Sequence, residues 1–272
     1  MAAAGQVPDV TGEGRAAGGG YRLYAELACW WPLISPPGEY ASDAAAISAV
    51  FGAAERDVTT VLDLGSGGGH VARHLRPRYQ VTLVDLSAEM LAVSRSLNTG
   101  SEHVQGDMRT VRLARMFDAV LVHDAVDYIT TEADLRQVVT TAFTHCSPGG
   151  VAVFVPDHTA ETFRAGTGSG GDSDASGRQA SFREQTSDPD PDDDWIEADY
   201  EFTLREPDGT VQVVRETHRL GAFRAQTWLA LLTAAGFRAE SRSTALAGAG
   251  PGSRRVLFVG HRLAGAAGES GL

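Results

Sequence analysis

The stretch Val61-Leu62-Asp63-Leu64-Gly65-Ser66-Gly67-Gly68-Gly69-His70-Val71-Ala72 decides the fold. An apolar run carries an acid near its end, passes through alternate glycines, and enters a segment of helical pattern. The glycines permit positive φ and let a ligand approach the backbone closely. In an open α/β sheet such a turn lies at the carboxyl edge, where ligands bind.

Working outward, the same alternation continues. The pattern predicts strands at 60–64, 80–86, 103–107, 117–126 and 151–155, with helices at 69–76, 87–97 and 131–146 between them. Strands alternating with helices imply right-handed βαβ units and a parallel sheet covered on both faces. Helices are also expected at 21–34 and 38–54. Residues 166–194 run through Gly, Ser and Asp into Asp-Pro-Asp-Pro-Asp-Asp-Asp, a composition that buries too little to order itself. Alternating apolar positions at 199–206 and 210–220 around Pro207-Asp208-Gly209 predict a β-hairpin. A helix at 224–235, stopped by Gly236, and strands at 236–244 and 254–262 complete the chain.

The expected division is a disordered tail (1–17), an N-terminal helical lid (18–55) and a cofactor-binding α/β core (56–158). An acidic flexible insertion (166–194) plus hairpin cap (159–220), the rest of the core (221–263) and a tail (264–272) follow. The fold class is α/β: doubly wound, mostly parallel, seven-stranded, with the lid and an inserted β-hairpin.

Composition narrows the function. The net charge of -12 disfavours nucleic acid and anionic membrane as partners. All 23 basic side chains are arginine, which excludes a Schiff-base, Walker-type or catalytic lysine. Cys29 and Cys146 have no metal-ligand spacing and read as small buried hydrophobes rather than ligands or a disulfide pair. The first twenty residues lack a signal-peptide pattern, and no apolar run reaches the roughly 18 residues of a membrane span. A cytoplasmic protein is expected.

The glycine turn alone suits two cofactors, since Gly67 to Ala72 also satisfies the relaxed G-x-G-x-x-A pattern of dinucleotide sites. The charge beside it separates them. NAD and FAD place a dianionic pyrophosphate there, which Asp63 repels. S-adenosylmethionine has no phosphate and carries an ammonium and a sulfonium, which Asp63 attracts. Asp85, ending the second strand, is placed for ribose hydroxyls. Asp107, in Gly106-Asp107-Met108, is placed for an adenine amine, with Met108 on the ring. Each acid alone is also a common strand-end or cap residue; three on successive strand ends favour the sulfonium cofactor. An NAD(P)-dependent oxidoreductase is the first alternative, weakened by the absence of lysine for a Tyr-x-x-x-Lys element. A non-catalytic cofactor- or partner-binding module is the second.

The run from Val61 to Gly150 resembles the class I S-adenosylmethionine-dependent methyltransferases. It carries the D-x-G-x-G-x-G loop, the acid ending strand two, G-D-M at 106–108, F-D-A-V at 117–120 and P-G-G at 148–150. The resemblance implies their seven-stranded sheet and S-adenosyl-L-methionine as cofactor, held by Asp63, Gly65, Ser66, Gly67, Asp85, Leu86, Gly106, Asp107 and Met108. Tyr21 and Tyr40, each at a helix start, and His123, after strand four, are further cofactor candidates. The N-terminal tyrosines, Glu39-Tyr40, the hairpin and the LFVG strand (257–260) are similar to a narrower group. That group comprises the N,N-dimethyltransferases of antibiotic amino sugars and the small-molecule amine methyltransferases; the acidic insertion departs from it.

Methyl transfer from a sulfonium is an in-line displacement that needs alignment, dryness, and a base only when the acceptor arrives protonated. The candidate groups follow strands four and five: His158 and Asp157 first, then His123 and Tyr128. His123, Asp157 and His158 show no fixed metal-ligand spacing, and no metal is expected. Tyr21, Tyr24, Trp30, Trp31 and Tyr40 are read as an aromatic lid or as core packing, with packing favoured for the two tryptophans. Arg215, His218 and Arg219 on the hairpin are read as a solvated face by default, otherwise as facing the acceptor or the partner of a homodimer. The expected activity is methyl transfer to N or O of a small-molecule acceptor in bacterial specialised metabolism.

Overall fold

The computed structural model describes residues 20–244 and 255–264. The expected tail 1–17, and all but the first residue of the tail 264–272, lie outside them.

Two 3-10 turns, Arg22–Tyr24 and Ala28–Trp30, lead into α1 (Trp31–Ile34), a third turn at Pro37–Tyr40, and α2 (Ala41–Phe51). Then β1 (Thr60–Leu64), α3 (His70–Leu75), β2 (Gln80–Asp85), α4 (Ala88–Leu97), β3 (Glu102–Gln105), β4 (Phe117–His123), α5 (Glu132–His145) and β5 (Cys146–Val155) alternate. β6 (Gly166–Ser173), β7 (Gln179–Ser187), β8 (Trp195–Arg205) and β9 (Val211–Gly221) form a second sheet. Finally α6 (Ala225–Ala235), β10 (Arg238–Thr244) and β11 (Arg255–His261) return to the first. Among the described residues, no helix is long and apolar enough to cross a membrane.

The first sheet has seven strands in the order β10-β11-β5-β4-β1-β2-β3, parallel except for β11, which is antiparallel to both neighbours. Its central strands are near-continuous apolar runs because helices cover both faces. Leu62, Leu64, Val120, Val122 and Phe154 pack under α5 and α6. Val61, Leu83, Leu121 and Val153 pack on the other face against α2 and α3. Each such side chain contributes about 1.5–3 kcal/mol of burial.

The structure differs from the sequence reading in the insertion. Residues 166–187, expected to be unstructured, are mostly the antiparallel strands β6 and β7. They order because β8 supplies what they lack. Ala180 pairs with Leu204 and Phe182 with Phe202, so ladder hydrogen bonds and two inward side chains complete a sheet already begun. A Cβ on Gly170 would stand 2.7 Å from the Phe182 ring, so glycine there makes room for the aromatic. The acidic residues 188–194 form the connection from β7 to β8. The expected hairpin is thus half of a four-stranded sheet.

That sheet covers its apolar face with the N-terminal segment. Leu23, Leu27, Trp30, Leu33 and Ile34 pack on Ala180, Phe202, Leu204 and Val214. The expected helix over 21–34 is instead two 3-10 turns and four α-helical residues. The chain follows a sheet surface here, and Pro32 offers no amide to extend the preceding turn. Cys29, in the second 3-10 turn, is exposed rather than buried as expected, whereas Cys146 is buried.

Candidate active site

Strand order reverses between β1 and β4. Doubly wound sheets take ligands at such a switch, and here the carboxyl edge opens into a cleft of about 2950 Å³.

The first wall is the glycine turn. The Gly65 and Ser66 amides both donate to the Val84 carbonyl, at 2.8 and 2.9 Å, and pin the turn to β2. Gly65 and Gly67 have φ of 74° and 52°, the left-handed region. A Cβ on Gly65 would also stand 2.5 Å from the Ala125 Cβ, and one on Gly68 2.6 Å from Trp31.

Two buried groups on this wall make no hydrogen bond among the described residues: the Ser66 hydroxyl and the His70 imidazole. His70 stacks near Trp31, centroids 6.0 Å apart, and meets Tyr40 edge-on at 5.6 Å. Burial pushes its pKa down to about 4, weakly opposed by the Ser35 backbone, so the ring is neutral. An unpaired buried polar group costs about 1–3 kcal/mol, which a polar ligand in the cleft relieves. The pair fits the amino-acid end of S-adenosylmethionine, and the glycines that a Cβ would fill fit close approach to it.

The three strand-end acids line the cleft, in different states. Burial pushes Asp63 up to about 7, with His123 opposing and Asp85 adding. Asp85 accepts the Gly67 amide on one oxygen (2.7 Å) and the Ser87 amide on the other (2.8 Å). Each oxygen keeps a lone pair for a ribose hydroxyl. Asp107 is already paired. The Arg109 amide and guanidinium make four contacts to its two oxygens, at 2.7–3.0 Å, which take up most of the acceptor capacity expected to meet an adenine amine. Gly106, Met108 and Leu86 line the same end, with the Leu86 side chain 68% exposed and open to a flat ring.

The far wall is built after β4 and β5. His123, expected as a base, is held as a cation. Its Nε2 lies 3.0 Å from Asp43 and its Nδ1 3.1 Å from Asp124. Burial opposes the charge, but Asp124 and Asp43 outweigh it and raise the pKa to about 9. With both nitrogens donating, it has no lone pair for a substrate proton. Asp157, also expected as a base partner, is paired with Arg255 at 2.7 Å, and Arg255 bonds Asp124 as well. Asp127 accepts the Asp157 amide at 3.0 Å; burial and then Asp157 hold it well above the usual carboxylate range. His158 faces the cleft, edge-on to Phe163 at 5.4 Å, without a hydrogen bond among the described residues.

Tyr40 lines the cleft and bonds Ser35 at 2.7 Å. Tyr21 turns its hydroxyl to the Arg219 amide (3.1 Å) and lays its ring on His218, centroids 3.8 Å apart. Tyr128 bonds the Tyr24 hydroxyl at 2.6 Å and His218 Nδ1 at 2.9 Å.

Glu216 and Arg255 escaped sequence reasoning, while His218 and Trp31 were read by default as a solvated face and as core packing. His218 is fully buried, not solvated, and Glu216 is 3% exposed. The signal was present: Val214, Glu216, His218 and Leu220 share the inward period-2 face of β9. Trp31 both lines the cleft and packs against the cluster under the second sheet. Arg255 is the second of two arginines that open an apolar stretch of sequence, and nothing local marks its partners.

Comparison with known proteins identifies the family. The family model described as a methyltransferase domain matches residues 61–150. The chain is 30% identical over 224 residues to the dTDP-3-amino-3,4,6-trideoxy-alpha-D-glucopyranose N,N-dimethyltransferase of Streptomyces venezuelae, over 82% of this chain and 91% of that one. It is 30% identical over 234 residues to the dTDP-3-amino-3,6-dideoxy-alpha-D-glucopyranose N,N-dimethyltransferase of Streptomyces fradiae, over 85% and 88% of the two chains. The solved structure of an S-adenosylmethionine-bound amino pentose methyltransferase from Micromonospora echinaspora superposes with a TM-score of 0.67 at 27% identity, over 82% and 91%. The chain belongs to the class I S-adenosylmethionine-dependent methyltransferases, alongside the amino-sugar N,N-dimethyltransferases.

Proposed function

We propose that the protein transfers methyl groups from S-adenosylmethionine to the amine nitrogen of a small amino sugar, in bacterial specialised metabolism. The observation that carries this reading is the charge of the far wall. On that wall the acids Asp43, Asp124 and Asp157 outnumber the cations His123 and Arg255 that pair with them, and Asp127, held well above the usual carboxylate range, adds a neutral hydrogen-bonding group. Such a wall attracts a protonated amine and repels a phenolate or carboxylate. The printed activities of the two Streptomyces relatives, both on dTDP-linked amino sugars, support the same acceptor class.

When bound, S-adenosylmethionine supplies an electrophilic methyl on a positively charged sulfur. The chain does the rest by positioning. Asp63 and the unpaired Ser66 and His70 groups would hold the amino-acid end, Asp85 the ribose, and Leu86 with Met108 the adenine. His158, unpaired beside Phe163, is placed to orient acceptor hydroxyls. The second sheet and the N-terminal segment close over the cleft and exclude water.

The test is a panel of amino sugars, free and dTDP-linked, set against matched hydroxy sugars and phenols. S-adenosylhomocysteine release and product mass are the readouts. Gain of one and then two methyl groups on an amine is expected. Turnover confined to hydroxyl or phenol acceptors overturns the reading.

A further inference from the structure

Tyr24 and Tyr128 join the cleft to a buried histidine that the methyl-transfer reading leaves unused. Both tyrosines line the cleft and are partly exposed to it, whereas His218 has no exposed surface. The contacts are continuous: Tyr24 Oη to Tyr128 Oη at 2.6 Å, Tyr128 Oη to His218 Nδ1 at 2.9 Å, and His218 Nε2 to Glu216 at 3.3 Å. Glu216 is fixed in turn by the Arg22 amide at 2.6 Å and the Leu23 amide at 3.2 Å. Four side chains from three separate parts of the chain thus form one line that ends in a carboxylate.

We infer that this line is a proton path, with His218 as the sink for the proton that an ammonium acceptor must lose before it is methylated. The inference rests on the amine reading above. Polarity follows from the end of the line. A carboxylate only accepts, so Glu216 takes the Nε2 hydrogen and leaves Nδ1 with its lone pair toward Tyr128. Tyr128 then donates to Nδ1 and accepts from Tyr24, and Tyr24 has its own lone pair free for the acceptor. In the transfer, an N–H bond of the ammonium breaks and its electron pair stays on nitrogen. Each tyrosine gains one proton as it gives one, and a new N–H bond forms at Nδ1. The imidazolium is then paired with Glu216. The freed pair on the amine is what attacks the methyl carbon.

The tyrosines carry the proton but do not hold it. Burial pushes both phenols above their usual range, so neither rests as a phenolate. His123 does not substitute, because both its nitrogens already donate to carboxylates. The groups facing His218 are Glu216 on β9, Tyr128 after β4, Tyr21 and Tyr24 of the N-terminal segment, and Tyr200 of β8, its ring 4.9 Å away. Tyr200 is bonded to Glu184, and Asp124 and Asp157 act on Tyr24 through space. Among these, Glu216 alone is a carboxylate bonded to the imidazole.

Two measurements test the path. Nitrogen-15 NMR of the acceptor-free protein at pH 8 should find His218 neutral with its hydrogen on Nε2. An Nδ1–H tautomer, or a doubly protonated ring, overturns the proposal whatever the enzyme methylates. Steady-state kinetics on an amino sugar then compare the parent with His218→Asn and with Tyr128→Phe, which keeps the ring packing. Expected are unchanged S-adenosylmethionine affinity by calorimetry and a kcat about a hundredfold lower at pH 7. The loss should disappear as the pH passes the amine's own pKa. Equal loss at every pH, or no loss, overturns the path. If the parent itself methylates no amine, the acceptor reading falls and the path falls with it, whatever the tautomer. If His218→Asn does not fold, Tyr128→Phe decides.

Discussion

The two sides of the cleft are built by different means. On the cofactor side, ligand-facing groups belong to one unbroken stretch at the end of each strand: the glycine turn after β1, Asp85 ending β2, Gly106 to Met108 after β3. On the acceptor side they are assembled from distant parts of the chain. His123 meets Asp43, Arg255 meets Asp124 and Asp157, His218 meets Tyr128, and Glu216 meets the amides of Arg22 and Leu23. One side is local geometry repeated by the βαβ unit. The other is a set of buried charge and hydrogen-bond pairs that exist only once the chain has closed on itself.

If that contrast is right, damage to the two sides should read out differently. The largest effect is expected from Arg255→Met. Arg255 is 6% exposed, and its loss leaves Asp124 and Asp157 without their guanidinium. Unfolding free energy should fall by about 3–5 kcal/mol in denaturant titration, since breaking a buried pair strands its partner. A change below about 1 kcal/mol would show that the acceptor wall does not depend on its long-range pairs.

Next is Gly65→Val on the cofactor side. Positive φ and the clash with Ala125 both oppose a side chain. S-adenosylmethionine affinity should drop at least about a hundredfold, or about 2.7 kcal/mol. Binding within threefold of the parent would mean the ligand does not approach this backbone. A smaller loss, about tenfold, is expected for Asp85→Ala by calorimetry, and its absence would remove the ribose role.

The smallest effect is a pH dependence. Burial raises Asp63 to about 7, and only its ionised form attracts the cofactor's cationic end. Affinity should therefore be full above pH 8 and decline as the carboxyl takes up a proton, by up to about tenfold at pH 6. An Asp63→Asn variant should bind weakly and lose that slope. A parent with flat affinity from pH 6 to 8 would place the cofactor's charge elsewhere.

The same contrast explains how much was legible in the sequence. Strands β1, β2, β4 and β5 announce themselves as apolar runs with a turn signal beside them, whereas the short polar β3 is marked by the Gly106-Asp107 that follows it. β6 and β7 were not legible, since Gly166 to Ser173 has no apolar alternation and orders only against a neighbour in register. His123 was found, but its protonation state was not, because that is set by Asp43, which lies 80 residues away. Asp107 lines the cleft, and the contacts that Arg109, two residues on, makes to both its oxygens are not visible from spacing alone.

One feature of the second sheet bears on how new acceptor specificities arise or are engineered. Its apolar face is covered by Leu23, Leu27, Trp30, Leu33 and Ile34, which precede the whole cofactor core in the chain. Grafting residues between β5 and α6 from a relative would therefore bring a foreign sheet without its own cover. The exchangeable unit is discontinuous: a chimera that keeps a working cleft must carry the N-terminal segment and the inserted sheet together.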